Sequence, residues 1–124
     1  MKRFIHASSS PSTQTFSYIE QIPSTKHRYR VRGNYTPETG VISAYWTKIS
    51  PYDDADYVWG YCKGGNKVDF FKGSPGKKVD SLYWHSYDPE DYESFDEYLS
   101  EFITETAKEI DNYNKDIEPR MIHN

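Results

Sequence analysis

A chain of 124 residues with a net charge of −4 has the size of one domain and buries roughly two-thirds of its unfolded surface, enough for one modest core. Tyr, Phe and Trp number twelve, six and three while aliphatic residues are scarce, so the core must be built largely from rings, and many phenol hydroxyls must reach water or a partner. The single cysteine, Cys62, excludes an internal disulfide and a thiol-pair zinc site; no apolar run follows the basic start as a secretory signal requires, and no stretch reaches the roughly 18–20 apolar residues of a membrane span, so a cytoplasmic chain is expected.

Taken in chain order, a short first strand is expected near residues 2–7, followed by a small polar connection over 7–15. Residues 16–22 alternate and end at Pro23. Residues 26–33, "KHRYRVRG", alternate strictly, with Tyr29 and Val31 on one side and Arg28, Arg30 and Arg32 on the other, the pattern of a half-buried strand. The turn "TPETG" returns the chain into "VISAYWTKI" as its paired strand. "VWGYC" and "KVDFF" flank Lys63-Gly64-Gly65-Asn66, a hairpin signal, and "VDSLYWHSY" follows the turn "KGSPGKK" as the last strand. No helical crossover separates these strands, so the sheet should be an antiparallel meander of five or six strands.

Asp88 is placed to cap a helix, Pro89 suits its first position, and Glu90 and Asp91 complement the positive end of its dipole. Phe95, Leu99, Phe102, Ile103, Thr106, Ala107, Ile110 and Tyr113 recur at helical spacing, which predicts an amphipathic helix over 89–113 with its stripe on the core. Residues 114–124 read as an irregular tail. The expected architecture is a single α+β domain over 1–124, with one long C-terminal helix on the aromatic face of the sheet.

Charge is divided along the chain: residues 1–50 carry +5, residues 51–79 +1 and residues 80–124 −10. Ten acids fall between 88 and 111, opposed only by Lys108. Glutamates at 97, 101, 105 and 109 stand four apart, where like charges destabilise a helix by roughly 0.2–0.5 kcal/mol per pair. Such a stripe, with tyrosines among the acids, points to a non-enzymatic docking surface for a basic groove on a partner, made by Glu90, Asp91, Glu93, Glu97, Tyr98, Glu101, Glu105 and Glu109. Size, acidity, tyrosine content and the striped segment resemble in composition the small phage and mobile-element inhibitors that imitate nucleic acid, the anti-restriction and anti-CRISPR proteins. That resemblance covers residues 88–111 and implies an inhibitor competing for a nucleic-acid cleft.

The alternative is a nucleic-acid-binding module that uses Lys26, Arg28, Arg30 and Arg32, since arginines interleaved with rings suit single strands. A third reading is a small enzyme or metal protein. In the cluster Asp53-Asp54-Ala55-Asp56, Asp54 and Asp56 fit the spacing of a calcium loop but Val58 and the absent glycine do not, and residues 73–78 lack the spacing and following helix of a phosphate loop, so both read as turns. Cys62 and the scattered histidines, His85 near Asp80 and Asp88 among them, show no local catalytic signature. No cofactor, metal or catalytic set is expected.

Overall fold

The computed structural model of the chain describes residues 4–7, 12–49, 56–73 and 75–117. Seven strands follow one another in space as they do in sequence: β1 (Phe4–Ala7), β2 (Gln14–Gln21), β3 (Arg28–Thr36), β4 (Val41–Ile49), β5 (Val58–Cys62), β6 (Lys67–Lys72) and β7 (Lys77–Tyr83). Each pairs antiparallel with the next, and one helix among the described residues, α1 (Phe95–Asn114), follows the sheet. The expected meander with a helix on its aromatic face is the fold, and among the described residues the sheet has seven strands rather than the five or six expected.

Alternation sorts the strands into two faces. Phe16, Tyr29, Val31, Tyr35, Ile42, Ala44, Trp46, Val58, Cys62, Val68 and Phe70 point inward and are buried against Leu99, Phe102, Ile103, Ala107 and Ile110 of α1. At this interface Trp46 Nε1 donates to the Ile103 carbonyl at 3.2 Å, so the largest core side chain keeps its N–H satisfied. The helix crosses β5 at Gly60, where a Cβ would stand 2.8 Å from Ile110 Cδ1. Glycine at that point is what lets the two backbones approach.

Two polar anchors hold the far end of α1 to the sheet. Buried Asp111 accepts from the Thr25 hydroxyl at 2.8 Å and the Tyr29 hydroxyl at 2.7 Å, and meets His27 Nδ1 at 2.7 Å. Asn114 accepts the Val58 N–H at 2.7 Å and donates to the Val58 carbonyl at 3.0 Å, so its amide stands in for a strand partner at the start of β5. Asp111 and Asn114 fall on the inner side of α1, one turn beyond Ala107 and Ile110. Tyr113, expected on the inner stripe, lies at its edge, where its ring meets Phe70 edge-on and its hydroxyl donates to Asp80.

The helix begins later than its first acids suggest. Asp88 caps a single turn, its Oδ1 accepting the Glu90 N–H at 3.0 Å and its carbonyl the Asp91 N–H at 3.0 Å. The true N-cap is Ser94, extended at φ −156°, whose hydroxyl accepts the Glu97 N–H at 3.2 Å. Ser94 and Glu97 have the Ser-x-x-Glu spacing of a capping box, and the core positions Phe95, Tyr98 and Leu99 follow at once. A helix begun at Pro89 would carry Tyr92 as one of its positions; instead Tyr92 turns back, its hydroxyl 2.6 Å from His85 Nε2. Glu90, Asp91 and Glu93 therefore precede α1. At the other end α1 runs through Asn114 and Ile117 is buried, while residues 118–124 of the expected irregular tail lie outside the described residues.

Candidate nucleic-acid interface

Among the described residues, no element packs over the side of the sheet away from α1. Arg28, Arg30 and Arg32 stand on it in line, roughly 6.8 Å apart at two residues per step. The antiparallel register makes Arg32 the cross-strand partner of Tyr45, Tyr45 the partner of Tyr61, Tyr61 the partner of Asp69, and Asp69 the partner of Ser81. One row thus runs across five strands as arginine, ring, ring, carboxylate and hydroxyl. Arg30 pairs with Thr47 in the next row, where Trp59 pairs with Phe71.

The rings are stacked side by side. Tyr45 and Tyr61 have centroids 4.5 Å apart and Trp59 and Phe71 4.6 Å apart, while Tyr45 and Trp59 lie tilted at 6.5 Å and connect the two pairs. Each stacked pair contributes about 0.5–1.5 kcal/mol beyond burial. Tyr45 is 50% exposed, and Trp59, Tyr61 and Phe71 are half-buried. Trp59 is steadied from the side, where its indole N–H donates to the Gly73 carbonyl at 3.2 Å and Gly76 packs on the ring too closely for a Cβ. An open depression with about 400 Å³ of water-accessible space lies among Arg30, Arg32, Tyr45 and Thr47. At the β7 side Lys67 lies over the Tyr83 ring at 5.5 Å, and Tyr83 is 75% exposed.

Charge on this face is strongly one-sided. Arg28, Arg30, Arg32, Lys67 and Lys78 oppose a single acid, Asp69, among the described strand residues. The Ser81 hydroxyl, at 2.8 Å, holds the Asp69 carboxyl below its ordinary range although partial burial acts the other way, and Lys67 and Lys78 help. Asp69 in turn raises Lys67. Arg28, Arg30 and Arg32 form no ion pair among the described residues. Lys26 does not join their row. It occupies the turn before β3 at φ +65°, closing that turn with its N–H on the Ile22 carbonyl, and strand alternation does not reach it.

The acidic stripe survives in shorter form. Glu97, Glu101 and Glu109 are exposed on α1, and Glu105 meets Lys108 at 3.2 Å. Lys108 is the only cation paired with this ridge among the described residues. Tyr98 is not a surface anchor. It is fully buried, its hydroxyl donates to the His85 carbonyl at 2.7 Å, and burial pushes its pKa up to about 12. Its position, three residues after Phe95 and four before Phe102, puts it on the inner stripe, and the acids on either side of it in sequence point the other way. Asp111, counted with the acids, is buried beneath His27 and Tyr29.

His85 takes Tyr92 as its partner rather than Asp80 or Asp88. Cys62 is buried against the Ile42 and Gly65 carbonyls, and burial raises its thiol pKa, which suits a structural cysteine. Among the described residues no three His, Cys, Asp or Glu side chains converge to hold a metal ion; Asp53 and Asp54 lie outside those residues. No described helix is long and apolar enough to cross a membrane.

Sequence reasoning singled out the arginines and missed Tyr45, Trp59, Tyr61 and Phe71 as their companions. The signal was present in parity: each of the first three sits one residue from a buried neighbour, Trp46, Val58 or Cys62, and so must face outward. Fold and face together define an α+β chain with one sheet face sealed by a helix and the other open, aromatic and cationic. No protein-family model, curated protein or solved structure matches it.

Proposed function

We propose that this chain is a non-enzymatic binding protein that holds single-stranded nucleic acid on the open face of its sheet. The observation that carries the reading is the cross-strand pairing of Arg32 with Tyr45, which sets a row of guanidiniums with no ion pair among the described residues directly beside a row of stacked rings that are exposed at Tyr45 and half-buried at Tyr61. Guanidiniums meet phosphate oxygens in charge-assisted pairs, and unstacked bases lie on aromatic faces at about 1–3 kcal/mol per base. Duplex recognition needs a helix or ribbon that enters a groove, and a flat platform offers bases that are already splayed a better fit. The acidic ridge does not oppose this locally. It lies on the far side of α1, beyond a packing layer of roughly 10 Å, and the Debye length is about 8 Å at physiological salt.

The test is a fluorescence-anisotropy titration with labelled single-stranded DNA and RNA oligomers of about twelve nucleotides, within the site sizes of comparable platforms. Binding is expected at low salt, where the phosphate term is largest, with a hairpin duplex of the same length bound more weakly. No binding of either oligomer at about 50 mM salt would remove the reading.

A second reading is favoured by the ridge itself. Glu97, Glu101 and Glu109 have no cationic partner among the described residues, and α1 presents them in one line. This face would dock in a basic cleft of a nucleic-acid-handling protein and compete with its nucleic acid, as the inhibitors of anti-restriction and anti-CRISPR type do. It has lost Tyr98 as an anchor, which is why it ranks second. Reversal of Glu97, Glu101 and Glu105 to Lys in a folded variant should abolish binding to such a partner while leaving oligonucleotide binding by the sheet intact; an unaffected inhibitor would eliminate this second mode.

A further inference from the structure

Asp69 is out of place on a face that meets phosphate. A carboxylate among arginines and lysines lowers affinity for any polyanion, so what it can contribute there is discrimination. Its position is specific: it is the cross-strand neighbour of Tyr61, with side-chain roots about 4.5–5.5 Å apart, and so lies where the edge of a base stacked against that ring would fall. It is also fixed. The Ser81 hydroxyl at 2.8 Å, Lys67 Nζ at 3.6 Å and Lys78 Nζ at 3.8 Å all fall on Oδ1. Oδ2 has no hydrogen-bond partner among the described residues, and the side chain is 29% exposed. One oxygen is anchored and the other is left to accept.

We propose that Asp69 reads the base next to Tyr61, its Oδ2 accepting a hydrogen bond from an exocyclic amine, so that the platform prefers amine-bearing bases and, among pyrimidines, cytosine over uracil. The inference rests on the nucleic-acid reading above and names the base class for that same site. An ionised carboxylate only accepts. Cytosine offers it the N4 amine as donor; uracil turns the lone pairs of O4 toward it and leaves the acceptor unmet, the situation in which polar sites discriminate most. Both bases have one ring, and the Asp69 variants separate an edge contact from any difference in stacking. Ser81 acts as a positioning residue through the carboxylate and does not itself reach the base.

The experiment measures Kd for oligo-dC and oligo-dU of about twelve nucleotides, at one low salt concentration and neutral pH. The wild-type chain is expected to bind oligo-dC about fivefold more tightly, the low end of a base-edge contact because one bond is made. In Asp69→Asn, whose amide can turn either its oxygen or its nitrogen to the base, the ratio should fall to about one, with oligo-dU bound no more weakly than before because a charge facing phosphate is gone. Asp69→Ser should give the same collapse by a different side chain, which keeps the test open if one variant folds poorly. A residue with only a structural role would weaken both oligomers together. Equal wild-type affinities overturn the assignment and leave the parent reading standing, as does a cytosine preference that survives both variants. Failure to bind either oligomer sinks the parent reading itself.

Discussion

Replacing Arg28, Arg30 and Arg32 with Gln should change how binding responds to salt, not only its strength. The three stand in line at roughly 6.8 Å intervals on the outer face of β3, Arg28 and Arg32 exposed and Arg30 half-buried, with no ion pair among the described residues. For single strands each phosphate contact contributes about 0.7 to the slope of log K against log salt, so removing three should flatten that slope by about 2. At 0.1 M salt the same arithmetic gives a loss of about a hundredfold, which shrinks to about fourfold at 0.5 M, and the two curves converge as salt rises. The assay is anisotropy over a salt series on wild-type and triple-variant protein, with circular dichroism to confirm the fold. The core lies on the other face of β3, so the fold should survive. Parallel salt curves would refute the reasoning, because they would mean that the arginines do not meet phosphate.

Tyr45→Ala should lose about 1–3 kcal/mol of stacking, roughly 5- to 150-fold in Kd, and by the same factor at every salt concentration; a salt-dependent loss would count against a stacking role. Asp111→Ala leaves the Thr25, His27 and Tyr29 donors without their shared acceptor and should destabilise by about 3–5 kcal/mol, read as a lower urea midpoint; a change under 1 kcal/mol would show that the anchor is dispensable. Stability should also fall at high pH through Tyr98. Its folded pKa is raised from 10 to about 12, so its contribution is fully present below pH 10 and is lost as pH rises toward 12. Tyr98→Phe should flatten that stretch of the pH profile at some loss of stability from the bond to the His85 carbonyl, and an unchanged alkaline limb would assign the effect elsewhere.

What the amino-acid order determined by itself was periodicity. Alternation in "KHRYRVRG" and "VISAYWTKI" set which residues of β3 and β4 face inward, short polar turns made the sheet antiparallel, and the 3–4 spacing from Phe95 to Ile110 specified a helix and its buried side. These are local properties, and the chain carries them within a few residues. Where the helix starts was also local, but two signals competed: Asp88-Pro89 reads as a start, and the Ser94 N-cap prevailed because Phe95 and Tyr98 must enter the core at once. The fate of individual acids and rings was not local. Tyr98 and Asp111 read as part of an acidic surface until packing turned them under the sheet, and Asp111 found donors on residues more than eighty positions away. The open platform belongs wholly to tertiary structure. Arg32, Tyr45, Tyr61 and Asp69 form a row only because three hairpin registers align them, and a one-residue slip in any of those hairpins would send a ring to the other face.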